Sequence, residues 1–459
     1  MRDWENASWA AGRAEADVIR RVGGLVAAKI LTFTRADDFI LLLAGKGHNG
    51  DDVRAAKDIL AGRRMELLNV TAPAEALPKL ETLLARRPVL VVDGLFGIGL
   101  DRPLDADWSK FVDRLNTARL PVLAVDIPSG LDADTGEPLP VAVRAAHTLT
   151  VGAVKRGLLL PGAAAFVGRL EVAADVGLIP CPAKSELNWL MKDDFTSFPP
   201  PREVTAYKGS FGHLAIIAGS LGFHGAAVLA ARGAQRARPG LITLFPREDV
   251  FHPVAAQLQS VMVSTAFTSA TLPGNFSGIL IGPGLAAPGV VDELRTILRR
   301  IWLDAPCPVV VDASALDWLP IHPVPSRLIR VITPHPGEAA RLLKTTTEKI
   351  QTDRPYAVRE ISRLFGNCWV VLKGHQTLIG RSTGDILVNA TGNPHLAQGG
   401  SGDLLAGYLA GLLAQPALQA DSLKTITYAV WQHGAAADRL DAARENWIVE
   451  DLVEDIGRI

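Results

Sequence analysis

The feature that most constrains this chain is a series of short, unbroken apolar runs. In the first half they are "DFILLLAG", "MELLNV", "PVLVVDGLFG", "LPVLAVDIPSG", "AHTLTVGA" and "GRLEVAADVG". Val, Ile and Leu fill them without period-two alternation, which predicts strands covered on both faces. Helical stretches such as "DDVRAAKDILAGRR" lie between them, and that alternation predicts a doubly wound, Rossmann-like α/β sheet. Around "LIPCPAKSELNWLMKDDFTSFPPPREVTAYKG" the pattern fails. Its five prolines from Pro180 to Pro201 remove backbone donors and restrict their neighbours, so a linker is expected, with a boundary near Ser185. The same grammar then restarts with "GHLAIIAGS", "GLITLFP", "GILIGPGL", "PVVVDASAL", "RVITPHPGE" and "CWVVLKGHQTLIG". At 459 residues the chain exceeds one typical core. Two α/β domains are expected, residues 1–185 and 186–459.

Composition excludes several classes of function. Forty-seven basic and 48 acidic residues give a net charge of −1, so no nucleic-acid partner is held by bulk charge. Cys181, Cys307 and Cys368 are few and far apart, against a disulfide framework or zinc site and in favour of a reducing compartment. The N-terminus is charged throughout, unlike a secretory signal. No apolar run approaches the ~20 residues of a membrane span. A cytoplasmic protein is expected.

Two glycine turns carry the chemistry. "FILLLAGKGHNGDDVRAAKDIL" spells strand, glycine turn and helix, the outline of a dinucleotide-binding fingerprint. A redox fold should end its second strand in a ribose-binding acid. Here Glu66 stands near the start of "MELLNV" and Asn69 near its end, so the fingerprint is incomplete. The second turn is "NPHLAQGGSGDLLAGYLAGLLA". Gly399, Gly400 and Gly402 permit close backbone approach, and a helix start supplies unpaired N–H groups for an anion. Asp403 in the first turn could take a proton from an attacking hydroxyl. Taken alone, a flexible turn with an Asp helix cap accounts for the string equally well.

The context of the second turn resembles the ribokinase-like superfamily. With "YKGSFGHLAIIAGS", "LIGPGLA", "VITPHPGEAARLL" and "VVLKGHQTLI" upstream, in that order, the set is similar to the ADP-dependent NAD(P)H-hydrate dehydratases. The resemblance implies a ribokinase-like α/β sandwich from about residue 191 onward. It implies an anion hole at Gly399, Gly400, Ser401 and Gly402, with Asp403 as catalytic base. Lys373, Gly374, His375, Gln376, Thr377 and Gly402 would hold the adenine nucleotide. Ala226, Gly284, His335 and Asp403 would surround the hydrated nicotinamide. His335 lies between two prolines, where filling a tight turn would also account for it. The family usually has Gly, Met and Thr where His395, Leu396 and Gln398 stand, a departure expected to bear on phosphate contacts.

The first half resembles the NAD(P)H-hydrate epimerases over about residues 1–177, on "AGKGHNGDDVRAA", "VVDGLFGIGLDRPL" and "VDIPSGLDADTG". The resemblance implies potassium between Asn49, Asp93 and Ser129, whose hard oxygens suit an alkali cation. It makes Asp126 the acid/base. Two loops would cradle the substrate, one of His48, Asn49, Gly50, Asp51 and Asp52, the other of Gly97, Ile98, Gly99, Leu100, Asp101, Arg102 and Pro103. Three departures weigh against activity, the first being "VIRRVG", Val18 to Gly23, where the family usually has a Met-Glu-Arg-like run. Asp51 adds negative charge where phosphate should lie, and Val53 replaces a glycine whose backbone would resist a β-branched residue at φ > 0.

Together the resemblances imply repair of hydrated NADH or NADPH, with ADP as co-substrate, Mg²⁺ with the nucleotide, and potassium in the first domain. The β-phosphoryl of ADP would pass to the C6 hydroxyl of the S-hydrate, and phosphate would then leave to restore the ring. The first domain would interconvert R and S hydrates. A homo-oligomer is expected, with no nucleic-acid or membrane partner. The alternative reading is a ribokinase-like kinase of a vitamin or hydroxymethylpyrimidine, behind an inactive nucleotide-binding module.

Overall fold

The structure is a computed structural model that describes residues 1–265, 276–286, 292–322, 324–325, 327–444 and 446–458. The chain divides into two compact units, Met1–Lys184 and Ser185–Ile459.

The first unit is built on six strands: β1 (Ile40–Ala44), β2 (Met65–Asn69), β3 (Leu90–Gly94), β4 (Val122–Val125), β5 (His147–Val151) and β6 (Arg169–Ala173). Each arises from one of the six apolar runs. Every pairing is parallel, in the order β2-β1-β3-β4-β5-β6. Residues of β1 and β3 are wholly buried because helices cover both faces. The order reverses direction between β1 and β3, and α/β sheets bind ligands in the crevice beyond such a switch point. The chain leaving β1 enters the helix His48–Ile59 there.

The second unit has ten strands in one sheet: β7 (Leu187–Trp189), β8 (His213–Ile217), β9 (Leu241–Phe245), β10 (Met262–Val263), β11 (Gly278–Ile281), β12 (Val309–Val311), β13 (Arg330–Ile332), β14 (Trp369–Leu372), β15 (Thr377–Gly380) and β16 (Ile386–Asn389). Their order is β10-β9-β8-β11-β12-β13-β14-β15-β16-β7. Pairing is parallel from β10 through β14, antiparallel between β14, β15 and β16, and parallel again to β7. Here the switch point falls between β8 and β11.

Two expectations need correction. The proline-rich segment is more than a linker, because Leu187–Trp189 pairs with Ile386–Val388 and forms the sheet edge. The run "CWVVLKGHQTLIG" is two strands rather than one. Gly374 (φ 135°) and Gln376 (φ 54°) turn the chain back on itself between β14 and β15. The core helix Ser401–Leu413 packs on the helix His224–Ala237 so closely that a Cβ on Gly407 would meet the Ala230 carbonyl at 1.9 Å.

Candidate active sites

In the second unit the implied residues gather beyond the carboxyl ends of successive parallel strands. Ala226 follows β8 and Gly284 follows β11, so both lie at the switch point. A Cβ on Gly284, whose φ is 66°, would stand 2.9 Å from the Ala226 Cβ and 2.4 Å from the Phe223 carbonyl. Ser220 Oγ donates to the Gly284 carbonyl at 2.6 Å and fixes this contact from beneath. His335 follows β13 and caps the helix Pro336–Leu342: its Nδ1 accepts from the Gly337 and Glu338 amides at 3.0 and 3.3 Å. It therefore fills the turn that its prolines suggested, with half of its side chain still exposed.

Lys373 follows β14 and centres a charged cluster. Its Nζ donates to Asp312 Oδ1 at 2.8 Å and lies 3.9 Å from Glu338 Oε2. Thr333 Oγ1 donates to the same Asp312 oxygen at 2.7 Å. Burial alone would lower the ammonium's pKa, but Asp312, Glu338 and Asp403 outweigh it and raise the pKa above its usual value. Asp403 sits in the first turn of the helix Ser401–Leu413. Burial pushes its carboxyl up to about 7, Asp312 and Glu338 add to that, and Lys373 opposes it. A base that titrates near neutral pH is the useful kind.

Gly400, at φ 96°, turns the chain into that helix. The Gly402 and Asp403 amides have no acceptor among the described residues. A Cβ on Gly399 would meet nothing within 4 Å, and one on Gly402 only Lys373 Nζ at 3.4 Å. Free donors, open space and a nearby cation make this place able to receive a phosphoryl group. The turn from Lys373 to Thr377 is held from behind by Arg354. Its guanidinium donates to the Leu372, His375 and Gln376 carbonyls.

In the first unit Asp93, at the end of β3, is fully buried. Its Oδ1 accepts from Ser129 Oγ at 2.7 Å and its Oδ2 from the Ser129 amide at 2.9 Å. Burial raises its pKa, against those two bonds. Asn49 Nδ2 donates to the Phe96 and Val125 carbonyls at 2.8 and 2.9 Å, and the Phe96 amide donates to Ser129 Oγ at 2.9 Å. Asn49, Asp93 and Ser129 thus meet around one loop, whose Gly97 also faces Asp126 Oδ2. Asp126 follows β4 in a left-handed conformation, φ 68°, and is ion-paired with Lys155. Ile98 and Leu100 are part-buried, whereas Gly99, Asp101, Arg102 and Pro103 are exposed.

The residues from His48 to Asp52 are the first turns of a helix rather than a loop. Helical spacing buries Asn49, Gly50, Asp52 and Val53 and leaves His48 and Asp51 on the other side. His48 Nε2 lies 2.9 Å from Glu15 Oε1, and Asp51 pairs with Arg54 at 2.7 Å. The charge on Asp51 is thereby met within the helix. Val53 needs no positive φ, since it is helical and packs over Gly94. The expected backbone obstacle at Val53 is absent, whereas Asp51 keeps its place at the helix start, paired with Arg54. Asp52 is pushed up to about 8 by burial, with Asp126, Asp51 and Glu5 adding to the effect. At neutral pH it is mostly protonated and can donate.

Comparison with known proteins gives the family of both units. The family profile described as NAD(P)H-hydrate dehydratase matches residues 214–459, and that of the YjeF-related protein N-terminus matches residues 24–157. The chain is 34% identical over 482 residues to the bifunctional NAD(P)H-hydrate repair enzyme of Gloeobacter violaceus, covering 96% of this chain and 92% of the relative. The chain belongs to the bifunctional NAD(P)H-hydrate repair enzyme family. The Coxiella burnetii member is also 34% identical, covering 96% of this chain and 93% of its own length. Among solved structures, the ADP/ATP-dependent NAD(P)H-hydrate dehydratase of Bacillus subtilis, co-crystallised with ATP and Mg²⁺, is 29% identical. It covers 59% of this chain and 96% of its own, with a TM-score of 0.52.

Against this repair-enzyme family, the departures beside the Gly399–Gly402 turn make contacts elsewhere. His395 Nδ1 lies 2.6 Å from Asp441 Oδ1, and Gln398 Nε2 donates to the His395 and Trp447 carbonyls at 2.7 and 3.2 Å. Leu396 lies under Gly392, whose Cβ would stand 3.0 Å from its Cδ1. His395 thus ties the loop to the helix Ser422–Ala443, and Gln398 ties it to the segment before the last helix.

Sequence reasoning missed Asp312, Glu338, His433 and Lys155. Asp312 ends an apolar strand run as Asp93 and Asp126 do, and that pattern could have found it. Lys155 is a lone cation among apolar residues after a strand, a weaker signal. His433 is buried and contacts the Ser401 carbonyl at 3.1 Å. Burial pushes it down to about 4, so it stays neutral beneath the first turn of the helix Ser401–Leu413.

Proposed function

We propose that the chain repairs hydrated NAD(P)H, with ADP-dependent dehydration of the S-hydrate in the second unit and R/S epimerisation in the first. The observation that carries this is Asp403, a base titrating near 7 beside an open, donor-lined helix start and Lys373. Hydroxide is a poor leaving group, so the ring hydroxyl must be activated. Asp403 accepts its proton as the β-phosphoryl of ADP is transferred, breaking the bond to AMP. The Gly402 and Asp403 amides and Lys373 offset the developing charge. The ring nitrogen's lone pair then expels phosphate, and loss of the C5 proton restores NAD(P)H. The nucleotide is held over the Lys373–Thr377 turn, and the nicotinamide side lies near Ala226, Gly284 and His335.

In the first unit Asp126 exchanges protons with the hydrate, and Asp52, protonated at neutral pH, supplies a hydrogen bond or proton. For potassium the residues fit. Asp93, Ser129 and the Phe96 and Val125 carbonyls bring hard oxygens together around Asn49. The ion would balance the buried Asp93 charge and fix the Gly97 loop beside Asp126. For Mg²⁺, no group of three or more acidic, His or Cys side chains converges among the described residues. The fit is to an ion carried on the nucleotide's phosphates with few protein ligands.

Among the described residues no helix is long and apolar enough to cross a membrane. A cytoplasmic setting, supported by three free cysteines, and a homo-oligomeric assembly complete the reading.

The test is incubation of purified protein with S-hydrate and ADP. Absorbance at 340 nm should recover with one AMP formed per ring restored. A phosphorylated product that persists would support the small-molecule kinase reading instead.

A further inference from the structure

The first unit buries a cation that no motif announced. Lys155 is 8% exposed. Its Nζ donates to Asp126 Oδ1, to Thr150 Oγ1 at 3.0 Å and to the Val151 carbonyl at 2.7 Å. An ammonium has three hydrogens, so all are committed within the protein and none is left for a substrate. Asp126 Oδ1 also accepts from the Val151 amide at 3.1 Å and from Thr150 Oγ1 at 3.4 Å. Its other oxygen, Oδ2, accepts no hydrogen bond among the described residues. That oxygen faces Gly97, where a Cβ would stand 3.2 Å from it and 3.5 Å from Asn49 Cγ. The Asp126 amide donates to the Leu149 carbonyl at 2.8 Å, so β5 and the residues after it grip both backbone and side chain.

We propose that Lys155 is a positioning residue for epimerisation, clamping Asp126 by Oδ1 so that Oδ2 alone is presented to the hydrate. The inference rests on the epimerase reading of this unit. Asp126 carries the proton, and Lys155 transfers none. Without the ammonium, Asp126 loses its strongest restraint and becomes a buried acid with no counter-charge. The loss should fall on the chemical step rather than on binding, because Lys155 has no donor with which to touch the substrate.

The experiment uses the full chain carrying Asp403→Asn, with R-to-S exchange followed chromatographically. Lys155→Met should lower kcat by roughly 10²-fold or more while KM for the hydrate stays within about twofold. Thr150→Val removes one acceptor of the ammonium and should lower kcat by about three- to tenfold. Melting of the full chain separates folding from catalysis. Lys155→Met should melt earlier, and adding Asp126→Asn should restore the melting temperature without restoring exchange. A kcat within about threefold of the parent, or a raised KM at unchanged kcat, overturns the inference. If Lys155→Met fails to fold, Thr150→Val decides on the same criterion. Parent exchange equal to that in buffer would refute the epimerase reading itself, and the inference with it, before any Lys155 variant is compared.

Discussion

Both units place a glycine-led helix start at the carboxyl edge of a parallel sheet, and they use the glycines for opposite purposes. In the first unit a Cβ on Gly50 would lie 2.2 Å from the Gly45 carbonyl oxygen, and one on Gly94 would lie 2.3 Å from Val53 Cγ2. These glycines let helix and strands press together. In the second unit Gly399 and Gly402 face open space and a lysine, so they keep room for a ligand. The charges differ as well. The first helix start carries Asp51 in its first turn, ion-paired with Arg54 one turn on. The second carries only Asp403 there, with a cation nearby. The same strand, glycine and helix string can therefore serve packing or an anion, and the room around its glycines distinguishes them.

The largest effect is expected at the second helix start. Asp403→Asn keeps the shape but removes proton acceptance, so dehydration should slow by roughly 10²–10⁴-fold, with nucleotide affinity nearly unchanged. An unaltered rate would make that acid a helix cap and erase the contrast.

The next effect is on pH dependence. Asp403 must be deprotonated to act as base, and burial pushes its carboxyl up to about 7. Dehydration kcat/KM should therefore fall as pH drops through about 7, approaching tenfold per pH unit below it. A profile flat down to pH 5 would place the titrating base elsewhere.

A smaller pair of effects sharpens the contrast between the glycines. Gly50→Ala should destabilise the chain by about 1–3 kcal/mol through overpacking, read as earlier melting, and leave ADP affinity unchanged. Gly402→Ala should do the reverse, weakening ADP by roughly tenfold, or ~1.4 kcal/mol, with melting preserved. Similar outcomes for both would mean that the two turns do the same job.

The smallest effect is at the rim. His395→Gly breaks an exposed contact with Asp441, and such pairs contribute about 0–1 kcal/mol. Nucleotide KM should change by less than about fivefold.

The strand runs made both sheets legible, because unalternating Val, Ile and Leu in segments this short suit a strand covered on both faces. β7, β10 and β16 escaped, the first two for a physical reason. β7 and β10 are edge strands of three and two residues that need little apolar sequence, whereas β16, Ile-Leu-Val-Asn, carries the apolar signal and was legible in principle. The Gly-Gly-Ser-Gly-Asp string was legible because its chemistry lies in adjacent residues. The partners that tune it were not. Asp312 reaches Lys373 across 61 positions, and Lys155 reaches Asp126 across 29, so only the fold brings them together. Val53 misled because a glycine-rich string suggests a loop, whereas here the helix has already begun at His48.

The central claim is that two different chemistries on one chain empty one pool of damaged cofactor. The most direct measurement gives the full chain a mixture of R- and S-hydrates with excess ADP and potassium. Absorbance at 340 nm and the R fraction are followed together. The whole pool should return as NAD(P)H, one AMP and one phosphate per ring, with R disappearing faster than in buffer. With Asp126→Ala, rapid recovery should stop at the S fraction. R-hydrate that lingers at the buffer rate with the unaltered chain, or a phosphorylated product in place of NAD(P)H, would contradict the account.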